Sequence, residues 1–236
     1  MSAAVTPSPS ATRRAALFDF DGTLGITLPS WTAAFGAAIR EHGHMPTEEE
    51  VIRSCFHTPT EEAIKNFGIS DSDAFKKRVW ASIMELMASA EHYPGVPETL
   101  QALRDEGFML AVVTNSRRSA VEPVLRRWKV HHHFEEILTI DDVSNGKPDP
   151  EMIHRAINLL DLSPSDTYII GDSRADVTAG KNAGIRTIGF SPEENRKYLA
   201  FDILQALAPS HLVHSYDHLR EVLGLSKPLP AERQAR

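Results

Sequence analysis

Residues 15–24 read Ala-Ala-Leu-Phe-Asp-Phe-Asp-Gly-Thr-Leu, an apolar run that meets two aspartates and then a glycine. Ala15–Phe20 has the length and composition of a buried strand, and Asp-Gly is a turn signal. In an extended chain, residues two apart project to the same side, so Asp19 and Asp21 are expected to converge while Phe18 and Phe20 face packing. Neighbouring carboxylates at the end of an apolar strand repel each other, and a metal, a shared proton or a hydrogen-bond network must relieve that repulsion. Taken alone, the stretch fits an Asp-Gly turn with a helper carboxylate equally well.

Further apolar runs of strand length fall at Phe108–Thr114, Glu136–Ile140, Thr167–Gly171, Arg186–Phe190 and Leu212–His214. Helix-length segments separate most of them, the pattern of a parallel α/β sheet. The interval 26–93 contains no strand-like run. Trp31, Phe35, Ala38 and Ile39 recur there at helical spacing, as do Phe75, Val79, Ile83, Leu86 and Ala90. Thr47 with Glu50, and Thr58 with Glu61 and Pro59 at the first helical position, resemble capping boxes. The expected organisation is a core over 15–25 and 94–225, a helical insertion over 26–93, and unpacked tails at 1–14 and 226–236. Gly25 and Pro94-Gly95 bound the insertion and are hinge candidates.

The 236 residues carry 25 Lys and Arg against 32 Asp and Glu, a net charge of −7, which argues against a polybasic nucleic-acid binder. The single cysteine, Cys55, permits no intrachain disulfide and suits a reducing cytoplasm. Apolar stretches stop short of the ~20 residues needed to span a bilayer, so no membrane partner is expected. No feature of the sequence separates a monomer from a homodimer.

In an open parallel sheet the ligand site lies beyond the carboxyl ends of the strands. The second strand ends Val112-Val113-Thr114-Asn115-Ser116, supplying short donors for an anionic oxygen or, locally, an N-cap. Lys147 sits in Gly146-Lys147-Pro148-Asp149-Pro150, where prolines fix the backbone and Asp149 can cap the next helix. The fourth strand runs into Gly171-Asp172-Ser173-Arg174-Ala175-Asp176, with two carboxylates four apart. Each feature has a local explanation as a cap or a surface charge. Jointly, two carboxylate pairs, a lysine and small donors on successive strand ends form a phosphoryl-transfer set, and oxygen-only ligands favour Mg²⁺.

The segments DFDGTL, VVTNS, GKPDP and GDSRADVTAGKNAG, in that order, resemble the four motifs of the haloacid dehalogenase superfamily. The chain is similar to its phosphoglycolate-phosphatase-like and β-phosphoglucomutase-like branch, across most of 15–225. The resemblance implies a Rossmann-like core with an inserted helical cap, and a Mg²⁺-dependent phosphatase acting on a small phosphorylated metabolite. It makes Asp19 the nucleophile and Asp21 the general acid and base, whose backbone carbonyl also faces the metal. Asp19 and Asp172 would hold Mg²⁺ with support from Asp176. Thr114, Asn115 and Lys147 would bind phosphoryl oxygens, helped by the backbone amides of Gly22 and Thr23. A sugar-phosphate isomerase using a bisphosphate primer and a non-catalytic binding module are the alternatives.

Two stretches stand apart from the resemblance. Gly25-Ile26-Thr27-Leu28-Pro29-Ser30-Trp31 lacks the acidic residue that relatives place after DGTL, so the insertion's entrance is particular to this chain. Cys55-Phe56-His57-Thr58 occupies the position of a substrate-contacting loop, which makes His57 a specificity candidate, although an exposed histidine explains it as well. His131-His132-His133 is expected at the surface, because consecutive residues cannot all face one ion.

Overall fold

The structure, a computed structural model, describes residues 13–225. Most of the two expected tails lies outside the described residues. Arg14 does not behave as tail: its carbonyl accepts from the Met109 amide at 2.9 Å and its guanidinium sits 4.3 Å from the Phe108 ring centre.

Six parallel strands form one sheet in the order β3-β2-β1-β4-β5-β6. They are β1 Ala15–Phe18, β2 Met109–Val113, β3 Glu136–Leu138, β4 Thr167–Gly171, β5 Arg186–Phe190 and β6 His211–Val213. All six expected strands are present: β4 and β5 have the expected bounds, and the other four are trimmed or shifted at their ends by one or two residues. β1 pairs with β2 on one side and β4 on the other, so the chain reverses its direction of growth at β1. Loops leaving β1 and β4 diverge there and leave a crevice, the usual place for a ligand in such sheets.

Period-two alternation assigns the strand side chains to two cores. Ala16 and Phe18 of β1 and Leu110 and Val112 of β2 pack with α5 (Val96–Asp105), α6 (Arg118–Arg127) and α10 (Tyr216–Val222). Ala15 and Leu17 with Ala111 and Val113 pack against α7 (Glu151–Leu160) and α8 (Arg174–Asn182). α9 (Phe201–Ala206) lies between β5 and β6 in sequence. β1 is buried on both faces, which is why its sequence is continuously apolar.

Between β1 and α5 the chain is helical: α1 Leu28–Glu41, α2 Glu48–Ile52, a π-helical turn Arg53–His57, α3 Thr60–Asn66 and α4 Ser72–Met87. Phe35 and Ile39 of α1 meet Phe75, Val79 and Ile83 of α4 in a core continuous with one side of the sheet. Two crossings join this cap to the sheet, and they pair with each other. The Ile26 amide donates to the Glu91 carbonyl at 2.8 Å and Tyr93 returns a bond to Leu24 at 3.0 Å.

The Thr47–Glu50 capping box forms, but the one expected at Thr58 does not. Thr58 precedes a proline and is pushed to an extended conformation, so α3 starts at Thr60 without a side-chain cap. α7 starts at Glu151, one residue later than expected, with the Asp149 carboxylate accepting from the Glu151 amide at 2.9 Å. The histidine run is a 3-10 turn in which His133 is buried, contrary to a surface assignment for all three; burial pushes its imidazole pKa down.

Candidate active site

Asp19 follows β1, anchored by its amide to the Ile170 carbonyl of β4 at 2.9 Å. Asp172 follows β4, and Asp176 is the third residue of α8. One carboxylate oxygen from each of Asp19, Asp172 and Asp176 lies within 4.8 Å of the others, all three residues being buried. The Lys147 ammonium is 2.8 Å from Asp19 and 2.5 Å from Asp176, and it donates to the Val113 carbonyl at 2.7 Å. Its three N–H groups are thereby committed.

Three carboxylates facing one ammonium leave two negative charges uncompensated when all are ionised. Burial, and then the Asp176 carboxylate, push the Asp19 pKa up to about 7 against the opposing pull of Lys147. Asp172 is raised well above the usual carboxylate range by burial and by Asp19 and Asp176. For Lys147 burial opposes the charge, but Asp176 and Asp19 outweigh it and raise its pKa.

The donor set fits a hard divalent cation. Asp176 is the most heavily engaged of the three: one oxygen meets Lys147, and the other accepts from the Ser173 amide at 3.0 Å and the Ser173 hydroxyl at 2.5 Å, forming the capping box of α8. Asp172 has only long contacts, to the Thr23 hydroxyl at 3.4 Å and the Asn195 amide at 3.3 Å. Asp19 and Asp172 thus retain open acceptor capacity, and a buried carboxylate in that condition gains most from a cation.

Asp21 belongs to a different network from Asp19. Its Oδ1 accepts from the Thr27 hydroxyl at 2.6 Å and the Trp31 indole N–H at 2.8 Å, while Oδ2 accepts from the Ser116 hydroxyl. The two carboxylates line one chamber but do not relieve each other through a shared group. Thr27 and Trp31 come from the stretch that departs from the family pattern, and they bring the cap into contact with Asp21.

The remaining predicted residues hold the frame. Asn115 clamps the Lys147 backbone, donating to its carbonyl and accepting from its amide, both at 2.8 Å. The Thr114 hydroxyl accepts from the Ser116 amide at 3.1 Å. The amides expected to face a phosphoryl group are used inside the turn instead: Gly22 donates to the Gly25 carbonyl at 2.9 Å and Thr23 to the Phe20 carbonyl at 3.4 Å. His57 is exposed at the end of the π-helical turn and lines an outer groove of about 720 Å³ with Arg174.

An inner chamber of about 360 Å³ contains Asp19, Asp21, Ser116, Lys147 and Asp172 beneath the cap. Sequence reasoning missed Thr27, Trp31, Ser116 and Asn195. Asn195, from the loop after β5, donates to the Gly22 carbonyl at 2.8 Å and accepts from the Tyr93 hydroxyl. It has no local signal, because its partners are far away in sequence.

An open parallel sheet whose strand ends gather buried aspartates around a lysine, roofed by a helical insertion, defines a doubly wound α/β enzyme with an acidic, cation-ready centre. The sequence model of the haloacid dehalogenase-like hydrolases matches residues 16–190, and the chain belongs to that family. It is 30% identical over 230 residues to pyrophosphatase PpaX of Bacillus cereus (strain Q1), covering 88% of this chain and 95% of the relative. Phosphoglycolate phosphatase of Pseudomonas putida is 30% identical over 219 residues, 85% and 80% of the two chains. Among solved structures, a predicted phosphoglycolate phosphatase from Haemophilus somnus 129PT superposes with a TM-score of 0.77 at 24% identity, over 89% of this chain and 98% of that one.

Proposed function

We propose that this chain is a Mg²⁺-dependent phosphatase that hydrolyses the phosphate ester of a small metabolite through an aspartyl-phosphate on Asp19. The observation that carries this reading is the buried Asp19–Lys147–Asp176 array with Asp172 left open beside it. The named relatives, a pyrophosphatase and a phosphoglycolate phosphatase, act on small phosphate compounds and support it.

Asp19 supplies the attacking oxygen, which divides the displacement into two easier steps. Lys147 offsets negative charge at Asp19 and is itself fixed by Asp176 and the Asn115 clamp. Asp21 faces the same chamber and serves as proton donor to the leaving oxygen, then as base toward water. Mg²⁺ held by Asp19 and Asp172 would supply charge neutralisation for the phosphoryl oxygens. Thr114 and Asn115 are assigned to shaping the phosphoryl pocket, and His57 to its outer groove.

We assign residues 26–93 as a cap hinged at Gly25 and Pro94-Gly95 over a core of 15–25 and 94–225. Closure would exclude water from the first step. The cytoplasm is the proposed setting, in keeping with the single cysteine; no helix of the described residues is long and apolar enough to cross a membrane.

Phosphate release from a panel of phosphorylated metabolites tests the reaction. Mg²⁺-dependent release that EDTA stops and Asp19→Asn abolishes is the expected result; unchanged release in the variant would sink the mechanism. Transfer to a sugar hydroxyl only when a bisphosphate primer is added would point to the isomerase instead.

A further inference from the structure

The inner chamber is polar at its catalytic end and apolar at its roof. The cap contributes Leu28, Trp31, Phe35, Cys55, Phe56 and Thr60 to its lining. Thr60 is the one hydroxyl in that wall, and burial pushes the Cys55 thiol pKa up, so it stays neutral. Among the described residues lining the chamber, Lys147 is the sole cation, and its donors are taken by Asp19, Asp176 and Val113. Trp31 and Phe35 continue into an adjoining cavity of about 280 Å³ with Phe75, Val79 and Trp80. Lys76, which also lines that cavity, is paired with Glu61 at 2.8 Å.

The position of Asp21 decides which end of the substrate meets this wall. Asp21 lines the inner chamber and not the outer groove. A leaving oxygen that takes its proton from Asp21 therefore has its organic group under Leu28, Trp31 and Phe35. Arg174 and His57 line the outer groove but not the inner chamber, and the two spaces adjoin across Thr60, Lys147 and Asp172. A carboxylate or second phosphate set against the Leu28, Trp31 and Phe35 wall would meet aromatic and aliphatic carbon and no cation of that wall, an arrangement that disfavours binding there.

We propose that the leaving group is an uncharged apolar or aromatic alcohol, so that the preferred substrate is its phosphate monoester rather than pyrophosphate or a phosphorylated carboxylic acid. For its reaction the proposal rests on the phosphatase reading, but its recognition half stands on binding alone. Calorimetric titration of the wild-type protein with Mg²⁺ compares 2-phenylethylphosphonate with phosphonoacetate, neither of which has an ester bond to hydrolyse. The phenylethyl compound is expected to bind on the order of tenfold tighter or better, as burial of a phenyl group predicts. Equal affinity, tighter phosphonoacetate, or no binding of the phenylethyl compound overturns the proposal.

Thr60→Lys places a cation in the wall at a partly exposed helix start, outside the cap core. It is expected to narrow the affinity ratio at least severalfold by favouring phosphonoacetate, and an unchanged ratio counts against the assigned wall. Turnover of 2-phenylethyl phosphate and phosphoglycolate then separates the two readings. If neither is hydrolysed while the phosphonate preference holds, the phosphatase reading fails and the recognition proposal stands. If both are hydrolysed with phosphoglycolate preferred in kcat/KM, recognition fails and the phosphatase stands.

Discussion

Asp21 shows most directly how single residues set this site. A carboxylate that accepts from Thr27, Trp31 and Ser116 is aimed by three groups from two parts of the chain. Trp31→Phe keeps a ring against Trp80, where the indoles meet edge to face at 5.4 Å, but deletes the N–H bond to Asp21. Hydrogen bonds to charged groups contribute about 1.5–3 kcal/mol, so kcat should fall about tenfold or more with KM within a few-fold. Steady-state kinetics would show instead an unchanged kcat if the indole only packs.

Asp19 sets a pH dependence of its own. Its pKa of about 7 stands above its ordinary 3.8, so between those values the folded chain holds more protons than the unfolded one. Without a cation, this group's contribution to stability is therefore greatest at low pH and falls as pH rises through that window. A cation competes with the same proton. The rise in Tm on adding Mg²⁺ should be larger at about pH 8 than at about pH 6, and thermal melts showing the reverse order would exclude Asp19 as a ligand.

At the scale of elements, short turns after strands place the acidic groups against one another. Gly22 adopts φ +68°, and a Cβ there would sit 1.8 Å from an Asp172 carboxylate oxygen. Gly22→Ala carries a backbone penalty of roughly 1–2 kcal/mol and displaces Asp172 as well. Displacement of that size lowers activity on the order of a hundredfold. Urea unfolding, phosphate release and the Mg²⁺-induced Tm shift should all register the change; a variant that keeps its Mg²⁺ response would free Asp172 from the ligand role. At α8 the capping box does double duty, since Asp176 caps the helix with one oxygen and pairs with Lys147 through the other.

For the whole molecule, the cap meets the core through an apolar cluster continuous with the sheet and through a rim of polar and aromatic side chains. Arg117 of the core lies 4.9 Å from the Trp80 ring centre, Phe56 meets Tyr198 with centroids 6.0 Å apart, and Glu48 pairs with Lys197 at 2.6 Å. An exposed ion pair contributes little, so the Glu48–Lys197 pair would offer small resistance to the proposed opening of the cap. Cys55, the single cysteine, lines the chamber beneath it and reports opening directly. Iodoacetamide should modify Cys55 slowly, and Mg²⁺ with inorganic phosphate should slow it further, by roughly threefold or more if closure is favoured by a modest coupling. Alkylation that ignores both additions would refute the hinged cap.

The strands, the helical insertion and the order of the acidic motifs were legible in the sequence because each depends on local pattern: continuous apolar runs for strands buried on both faces, helical spacing for the cap, and turn residues at strand ends. Asp19, Asp172, Asp176 and Lys147 could be nominated for the same reason, since topology delivers strand ends to one crevice. The sequence also pointed to Asp19 and Asp21 converging, and the two line one chamber, but which donors relieve Asp21, and that the Gly22 and Thr23 amides are taken within the turn, only the structure decided. The turn consumes its own amides, and the Asp21 carboxylate is claimed by Thr27 and Trp31 from the cap and by Ser116 from β2's end. Which hydrogen-bond donors reach a buried carboxylate depends on residues as far as 95 positions away for Ser116 and Asp21 and 149 for Thr23 and Asp172, and local pattern carries no record of such distances.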